Sequence, residues 1–376
     1  MEKLRILQFG PTAYRGGVAV AIADLCLGLA NEGHEVGLLC NGGAVLDRLK
    51  ASEVKIFPRK SVGGTKAILK EIIPTTQILK KFNPDIVHVH GRGPSMVSTF
   101  AGRYPDVFTL HNSFFTKRAS LIDIGEIRRM FSPIGRNVIV LNEMAREYCQ
   151  RELRVSNKRI HTVLNGVDST RFAPAEPARR EMLRSALGVG KEQILILFVG
   201  RFHPQKQPEA VVKLAEVLRA RGNDRARFVM IGDGEQKESI AAMITSLGLD
   251  DRITMLGYQD PLAAYQAADL FVMPSLYEGF PIAMIEAMAA GCPVLRSRTG
   301  GFFEAIQDGE TGYGCDVEIE DFIAKAITIL DDPKDRARVA AKARAKVVAE
   351  MSLSSHAQAT AEVYRMAHSE RLHRQR

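Results

Sequence analysis

Four segments of this chain combine residue types and spacings that permit group-transfer chemistry. The strongest runs Ser275-Leu276-Tyr277-Glu278-Gly279-Phe280-Pro281-Ile282-Ala283-Met284-Ile285-Glu286 and continues to Gly291, directly after the apolar run Leu270–Met273. Gly279 frees the backbone for a sharp turn, and Pro281 suits the first turn of a helix. The start of such a helix offers unpaired N–H groups and a positive dipole end to a phosphate or a sugar hydroxyl. Glu278 precedes that helix, whereas Glu286 lies about one and a half turns into it. The two carboxylates therefore serve different roles rather than forming an acid–base pair. Read alone, the segment also fits an ordinary helix start with an exposed Glu278.

The second segment is Leu197-Phe198-Val199-Gly200-Arg201-Phe202-His203-Pro204-Gln205-Lys206-Gln207-Pro208. An apolar strand delivers Gly200 and Arg201 to a loop that also carries Lys206. An arginine fork and a mobile ammonium make a clamp for a diphosphate. A solvated loop accounts for one such cation better than for two.

The third segment, Gly10-Pro11-Thr12-Ala13-Tyr14-Arg15-Gly16-Gly17-Val18, is a glycine-rich strand-to-helix loop. It is neither Gly-x-Gly-x-x-Gly nor a P-loop, which counts against a nicotinamide dehydrogenase or a nucleoside triphosphatase. Its glycines permit close approach of a ligand, though a simple turn fits equally. The fourth, Phe108-Thr109-Leu110-His111-Asn112, is a strand ending in a polar pair. A lone strand-end histidine is more often structural than catalytic. His88 and His90 alternate on one strand and so face one side. No carboxylate stands at ligand spacing to them, which leaves them as cleft-lining or core histidines.

Residues placed after strands need strands to carry them. Apolar runs predict strands at Leu4–Phe9, Glu35–Cys40, Ile86–His90, Val107–His111 and Val138–Leu141. A second series follows at Ile194–Gly200, Arg227–Ile231, Ile253–Leu256, Leu270–Met273 and Pro293–Leu295. Helical patterns lie between most of them, including one at about Val18–Glu32 that ends at Gly33. Strands alternating with helices imply parallel sheets covered on both faces, and two series imply two doubly wound domains. The join is expected within Asp168–Arg180, where Pro174 and Pro177 flank an aperiodic stretch. Leu353, Ala357, Ala361 and Tyr364 fall at helical spacing, so one more amphipathic helix closes the sequence. Open parallel sheets bind ligands at the carboxyl ends of their strands, so two of them predict a cleft between the domains.

The composition agrees with an ordinary globular protein: of 376 residues, 46% are hydrophobic and 25% charged. No run of 18 apolar residues predicts a spanning helix, and the opening residues lack the pattern of a secretory signal. Five scattered cysteines without CxxC spacing predict reduced thiols in an intracellular protein rather than disulfides or structural zinc. The net charge of +8 is uneven: residues 1–175 hold 25 Lys and Arg against 15 Asp and Glu, and the remainder is slightly acidic. Such asymmetry points to an anionic partner for the first half. Nucleic acid is not expected, since no zinc-finger spacing, RNP motif or dense basic tail is present. A membrane surface or an anionic substrate fits better, against the plainer reading of a solvated basic face.

Two basic amphipathic stretches sharpen that reading. One runs from Arg59-Lys60 through Lys66, Ile68, Leu69, Lys70, Ile72 and Ile73 to Lys80-Lys81. The other has Phe114, Phe115, Leu121, Ile122, Ile127, Met130 and Phe131 among Lys117, Arg118, Arg128, Arg129 and Arg136. Apolar residues ringed by cations are the pattern of an interfacial helix, with an ordinary core-packed helix as the alternative.

Taken in order, these segments resemble glycosyltransferase family 4, the retaining nucleotide-sugar transferases of GT-B fold, over nearly the whole chain. The resemblance rests on Gly16-Gly17, Pro84-Asp85-Ile86-Val87-His88-Val89-His90 and Thr109-Leu110-His111-Asn112. It continues through Asn165-Gly166-Val167-Asp168 with Phe172 and Pro174, then Gly200-Arg201 with Lys206. Glu278 with Glu286, Gly291-Cys292-Pro293-Val294 and Gly300-Gly301 complete it. It implies an α/β chain of two Rossmann-like domains facing a central cleft. Residues 1–172 would form the acceptor domain, with a helix at about 355–376 packing back on it, and residues 173–354 the donor domain.

The resemblance implies catalytic roles for His111, Arg201, Lys206 and Glu278. Arg201 and Lys206 would hold the donor diphosphate, Glu286 would accept from the ribose hydroxyls, and His111 would lie by the transferred sugar. Glu278 and the backbone of Gly279, Phe280 and Pro281 would meet the donor sugar and phosphate. Gly16, Gly17, Gly200, Tyr258 and Ile282 complete the implied donor set. No cofactor and no metal are implied, the nucleotide sugar being a substrate, and the sequence contains no Asp-x-Asp. UDP is the expected nucleotide, with GDP-mannose as the alternative. The acceptor would be a glycan or a lipid-linked sugar of cell-surface polysaccharide or lipopolysaccharide synthesis, met in the cytoplasm or at the inner face of the plasma membrane. Lys117, Arg118, Arg128 and Arg129 would face that acceptor or the membrane. A nucleotide-sugar epimerase and a non-catalytic sugar-nucleotide-binding subunit remain as other readings.

The sequence departs from the family pattern twice. Gln207 follows Lys206 where glycine is common, which predicts a stiffer loop. Arg296-Ser297-Arg298 precede Gly300-Gly301 where acidic or small residues are usual; these cations either bind an anionic sugar or, as favoured here, sit on a solvated edge.

Overall fold

The computed structural model describes residues 3–10, 16–42, 45–59, 65–111 and 134–375. They form two compact units: the residues up to Gly166 together with those from Leu353 onward, and Val167–Ser352.

Among its described residues the first unit has seven strands: β1 (Arg5–Phe9), β2 (Glu35–Cys40), β3 (Lys55–Pro58), β4 (Ile86–His90), β5 (Val107–Leu110), β6 (Asn137–Val140) and β7 (Ile160–Thr162). All neighbours are parallel, in the order β3-β2-β1-β4-β5-β6-β7. Alternate residues divide between two apolar layers, as a sheet covered on both faces requires. Ile6, Ile86, Val107 and Ile139 pack with Ile22, Leu25, Ala357, Ala361 and Tyr364, whereas Phe9, Val87, Val89, Phe108 and Val138 pack with Val97 and Ala145. Helix Leu353–Gln375 lies against helix Gly17–Asn31 so closely that a Cβ on Gly28 would fall 2.7 Å from the Leu353 carbonyl oxygen. Only a glycine permits that approach.

The second unit carries β8 (Ile194–Val199), β9 (Ala226–Ile231), β10 (Ile253–Gly257), β11 (Leu270–Met273), β12 (Val294–Ser297) and β13 (Tyr313–Cys315). Its order is β10-β9-β8-β11-β12-β13, again parallel. Ile196, Phe198, Phe228, Met230, Leu270, Val272, Leu214 and Phe322 belong to its core.

The strands absent from the sequence-based reading are β3, β7 and β13, and all three lie at sheet edges. An edge strand needs no continuous apolar run, and Lys55, Pro58, His161 and Thr162 interrupt any such signal. Five free thiols are present, with Cys26, Cys149, Cys292 and Cys315 buried. Among the described residues no helix is long and apolar enough to cross a membrane.

Candidate active site

Strand order reverses between β8 and β11, so the loops that leave their carboxyl ends border the crevice of a topological switch point. These loops hold the second and first segments singled out above. After β8 come Gly200 and exposed Arg201, then a 3₁₀ turn over Pro204–Lys206. After β11 the chain runs through Glu278, Gly279 and buried Phe280 to helix Ile282–Ala289, for which Pro281 stands at the N-cap.

Gln205 joins the two loops, and the sequence reading missed it. Its carbonyl accepts the Leu276 amide at 2.8 Å, and its buried side-chain amide donates to the Tyr277 carbonyl at 2.9 Å. Arg201 Nη2 donates to the Gln205 Oε1 at 3.4 Å. Lys206 Nζ forms an ion pair with Glu278, whose side chain is only 7% exposed. Gln207 adopts the left-handed conformation, φ 46° and ψ 55°, which explains the family's glycine here. With its side-chain amide turned over, its nitrogen would donate to the Pro274 and Val317 carbonyls, contacts that glycine cannot make.

A third loop supports the floor of this crevice. The carbonyl of Gly200 stands where any Cβ on Gly232 would be, and a Cβ on Gly234 would strike the Phe202 backbone. Gly200 donates its amide to Ile231, and Phe202 its amide to Asp233, so backbone pairing continues past the strand ends. The signal was present in the sequence as Gly232-Asp233-Gly234 after an apolar run.

Glu286 is buried on helix Ile282–Ala289, and the Tyr265 hydroxyl donates to its Oε2 at 3.3 Å. Burial, then the Glu286 charge, pushes the Tyr265 hydroxyl well above the ordinary phenol range. Tyr258 follows β10 at the same end of the sheet and is exposed. Arg296 corrects an expectation: it sits on no solvated edge but is fully buried. Its guanidinium donates to the carbonyls of Ser297 and Thr299 at 3.1 and 3.2 Å, of Gly300 at 2.9 Å, and to Thr299 Oγ1 at 2.8 Å. Desolvation lowers its pKa to about 10. The turn it holds ends at Gly301, where φ is +75° and a Cβ would fall 2.5 Å from the Gly279 carbonyl oxygen. Arg298, by contrast, pairs at the surface with Asp308 and Asp316.

In the first unit Gly16 caps helix Gly17–Asn31 with φ +111°, a conformation that favours glycine. His111 follows β5 and places Nε2 2.8 Å from His90 Nδ1. Burial, reinforced by His356, lowers the His111 pKa to about 3. Asn112, Lys117, Arg118, Arg128, Arg129 and the run Pro11–Arg15 lie outside the described residues. Arg59 also corrects an expectation: it faces no membrane but is buried, paired with Glu71, stacked over Phe9 and donating to the Gly10 carbonyl. Among the described residues no group of three or more His, Cys, Asp or Glu is arranged to hold a metal ion.

Two family models match the chain: Glycosyltransferase Family 4 over residues 15–171 and Glycosyl transferases group 1 over residues 179–346. Among similar proteins, the D-inositol 3-phosphate glycosyltransferase of Rhodococcus opacus is 33% identical over 393 residues, covering 95% of this chain and 87% of that protein. The UDP-Gal:alpha-D-GlcNAc-diphosphoundecaprenol alpha-1,3-galactosyltransferase of Escherichia coli is 29% identical over 318 residues, covering 81% and 82%. Anabaena HepE, crystallised with UDP-glucose, superposes with a TM-score of 0.81 at 20% identity, covering 96% of this chain and 98% of that one.

Proposed function

The chain belongs to the family 4, group 1 glycosyltransferases of GT-B fold, and from that premise we propose that it moves a hexose from a UDP-sugar to an anionic, lipid-linked or glycan acceptor with retention of configuration. The observation that carries this reading is the convergence of Arg201, Lys206 and Glu278 on the switch point between β8 and β11. The bond from the sugar C1 to the β-phosphate oxygen breaks, and its electron pair leaves with the nucleotide. Arg201 and Lys206 stabilise the charge that develops there, replacing the electrostatic role a metal plays elsewhere. The acceptor oxygen bonds C1 on the same face, and its proton passes to the departing phosphate. GDP-mannose is the alternative donor.

The acceptor chemistry is supported by the relatives' names, which carry a lipid diphosphate and an inositol phosphate, and by the +10 balance of residues 1–175. Helix Thr65–Phe82 adds to it: Leu69 and Ile73 are 65% and 69% exposed one turn apart, with Lys70, Lys80 and Lys81 exposed on the same helix. This is the makeup of a face that rests on an anionic leaflet, where surface polysaccharide or lipopolysaccharide precursors are held.

Incubation with UDP- and GDP-sugars tests the reading. Slow release of UDP, accelerated by a lipid-linked sugar diphosphate, is expected. Interconversion of the sugar without release, or binding without turnover, overturns it.

A further inference from the structure

One buried face of the first unit changes character along its length. On β1, β4 and β5 the residues Ile6, Ile86 and Val107 are apolar, while Gln8, His88, His90, Thr109 and His111, further along the same face, are polar. Gln8, His88, His90 and Thr109 are each no more than 4% exposed. Burying so many polar groups is costly unless all are paired. They are paired in single file.

Gln8 Nε2 donates to the Tyr364 hydroxyl at 2.7 Å. That hydroxyl lies 2.7 Å from His88 Nδ1 and, with Gln8 already donating to it, satisfies its own proton by donating there. His88 keeps its proton on Nε2 and donates to Thr109 Oγ1 at 2.7 Å. On the other side Gln8 Oε1 accepts from His90 Nε2 at 2.8 Å. His90 Nδ1 is then a lone pair, and it accepts from His111 Nε2. His111 Nδ1 is left as a lone pair with no hydrogen-bond partner among the described residues.

Direction passes along the file because a neutral imidazole has one donor and one acceptor, and the Tyr364 hydroxyl, able to give and to accept, relays the sense that the Gln8 amide presents. Burial holds His88 and His90 well below the usual histidine range, so both are neutral at pH 7. The file has one other self-consistent polarity, reached by turning the Gln8 amide over, and it converts all three histidines to the Nδ1–H form. Neutral imidazole in water prefers the Nε2–H form, and that preference acts three times in the polarity described.

We propose that Gln8 and Tyr364 are positioning residues that act through His90 to hold His111 in its Nε2–H tautomer, so that His111 Nδ1 meets a sugar hydroxyl as an acceptor and not as a donor. The inference rests on the glycosyltransferase reading for the identity of the hydroxyl, and not for the tautomer. Tyr364 lies on helix Leu353–Gln375, so the last helix sets the hydrogen-bonding sense of a residue after β5.

The test is a long-range ¹H–¹⁵N spectrum of the full chain labelled in histidine, with the His111 signals assigned by comparison with His111→Asn. The Nε2–H pattern is expected for His111, and an Nδ1–H pattern overturns the proposal. Tyr364→Phe keeps the ring and removes the hydroxyl, and Gln8→Leu removes the amide. Each is expected to convert His111 to mixed tautomers and to lower kcat about tenfold while donor KM changes little. If either variant loses its fold by circular dichroism, the other carries the comparison. An unchanged His111 spectrum and kcat in a folded variant overturns the role given to these residues. Absence of any sugar transfer by the parent chain refutes the glycosyltransferase reading instead, and leaves the tautomer result standing by itself.

Discussion

Lys206 and Glu278 form an ion pair that joins the loop after β8 to the loop after β11. Both side chains are largely buried, at 17% and 7% exposure, so neither charge is left to water. Under the function proposed above, a diphosphate would compete with Glu278 for this ammonium. Its disruption therefore has two separable consequences, one for stability and one for turnover.

Replacing Lys206 with Ala is expected to leave the Glu278 carboxylate buried without its cation and to destabilise the second unit by about 3 kcal/mol. Adding Glu278→Gln removes the stranded charge and should recover most of the lost Tm. Turnover should recover in neither variant, since loss of one charge-stabilising group costs a factor of about 10²–10³ in kcat. Calorimetry and initial rates on the two variants check both halves. Near-normal kcat in the double variant refutes the role of Lys206.

Arg296 is expected to act on donor binding without touching the donor. Arg296→Met preserves bulk but strands the carbonyls of Thr299 and Gly300, each at a cost of about 1–3 kcal/mol. The turn ending at Gly301 then loosens its hold on Gly279 and Phe280. Donor KM should rise about tenfold and Tm should fall. An unchanged KM in a folded Arg296→Met protein counts against this linkage.

Stability should fall as the solution is acidified below pH 7. His356 is buried, its Nδ1 accepts the Gly166 amide at 3.0 Å, and burial lowers its pKa to about 4. His88 and His90 are shifted the same way. A depressed folded-state pKa means the unfolded chain binds the proton more readily. The stabilisation is therefore complete above about pH 6.5 and is lost between there and the folded-state values, at about 1.4 kcal/mol per pH unit for each histidine. Tm measured from pH 7.5 to 5 should drop steeply. His356→Gln should flatten the slope, and a flat parent profile refutes the prediction.

Helix Thr65–Phe82 should carry part of any membrane affinity. Sedimentation with vesicles of phosphatidylglycerol and phosphatidylcholine is expected to retain the protein and to weaken with salt. Lys70→Gln, Lys80→Gln and Lys81→Gln together should cost about 1 kcal/mol per cation, and Leu69→Ser with Ile73→Ser should remove a comparable share. Equal binding by both sets of variants places the contact elsewhere.

Much of this protein was legible in its sequence because the signals are local. An apolar run followed by glycine and a helical pattern identifies a parallel strand and the loop that leaves it. Central strands such as β8 and β11 were therefore found where expected, with the glycine-bearing segments on the loops that leave them. What the sequence left undecided is which loops stand side by side and which charges meet. The spacing that makes Lys206 the mobile ammonium of a diphosphate clamp says nothing of Glu278, the carboxylate 72 residues away that pairs with it. Arg296 was read as a surface charge because charged residues are rarely buried, and only the packed turn supplies the carbonyls that bury it. Gln8 and Tyr364, 356 residues apart, gave no sign of a shared role. Hydrogen bonds across a sheet face depend on strand order and on which helix covers that face, and neither is written in the spacing of any single segment.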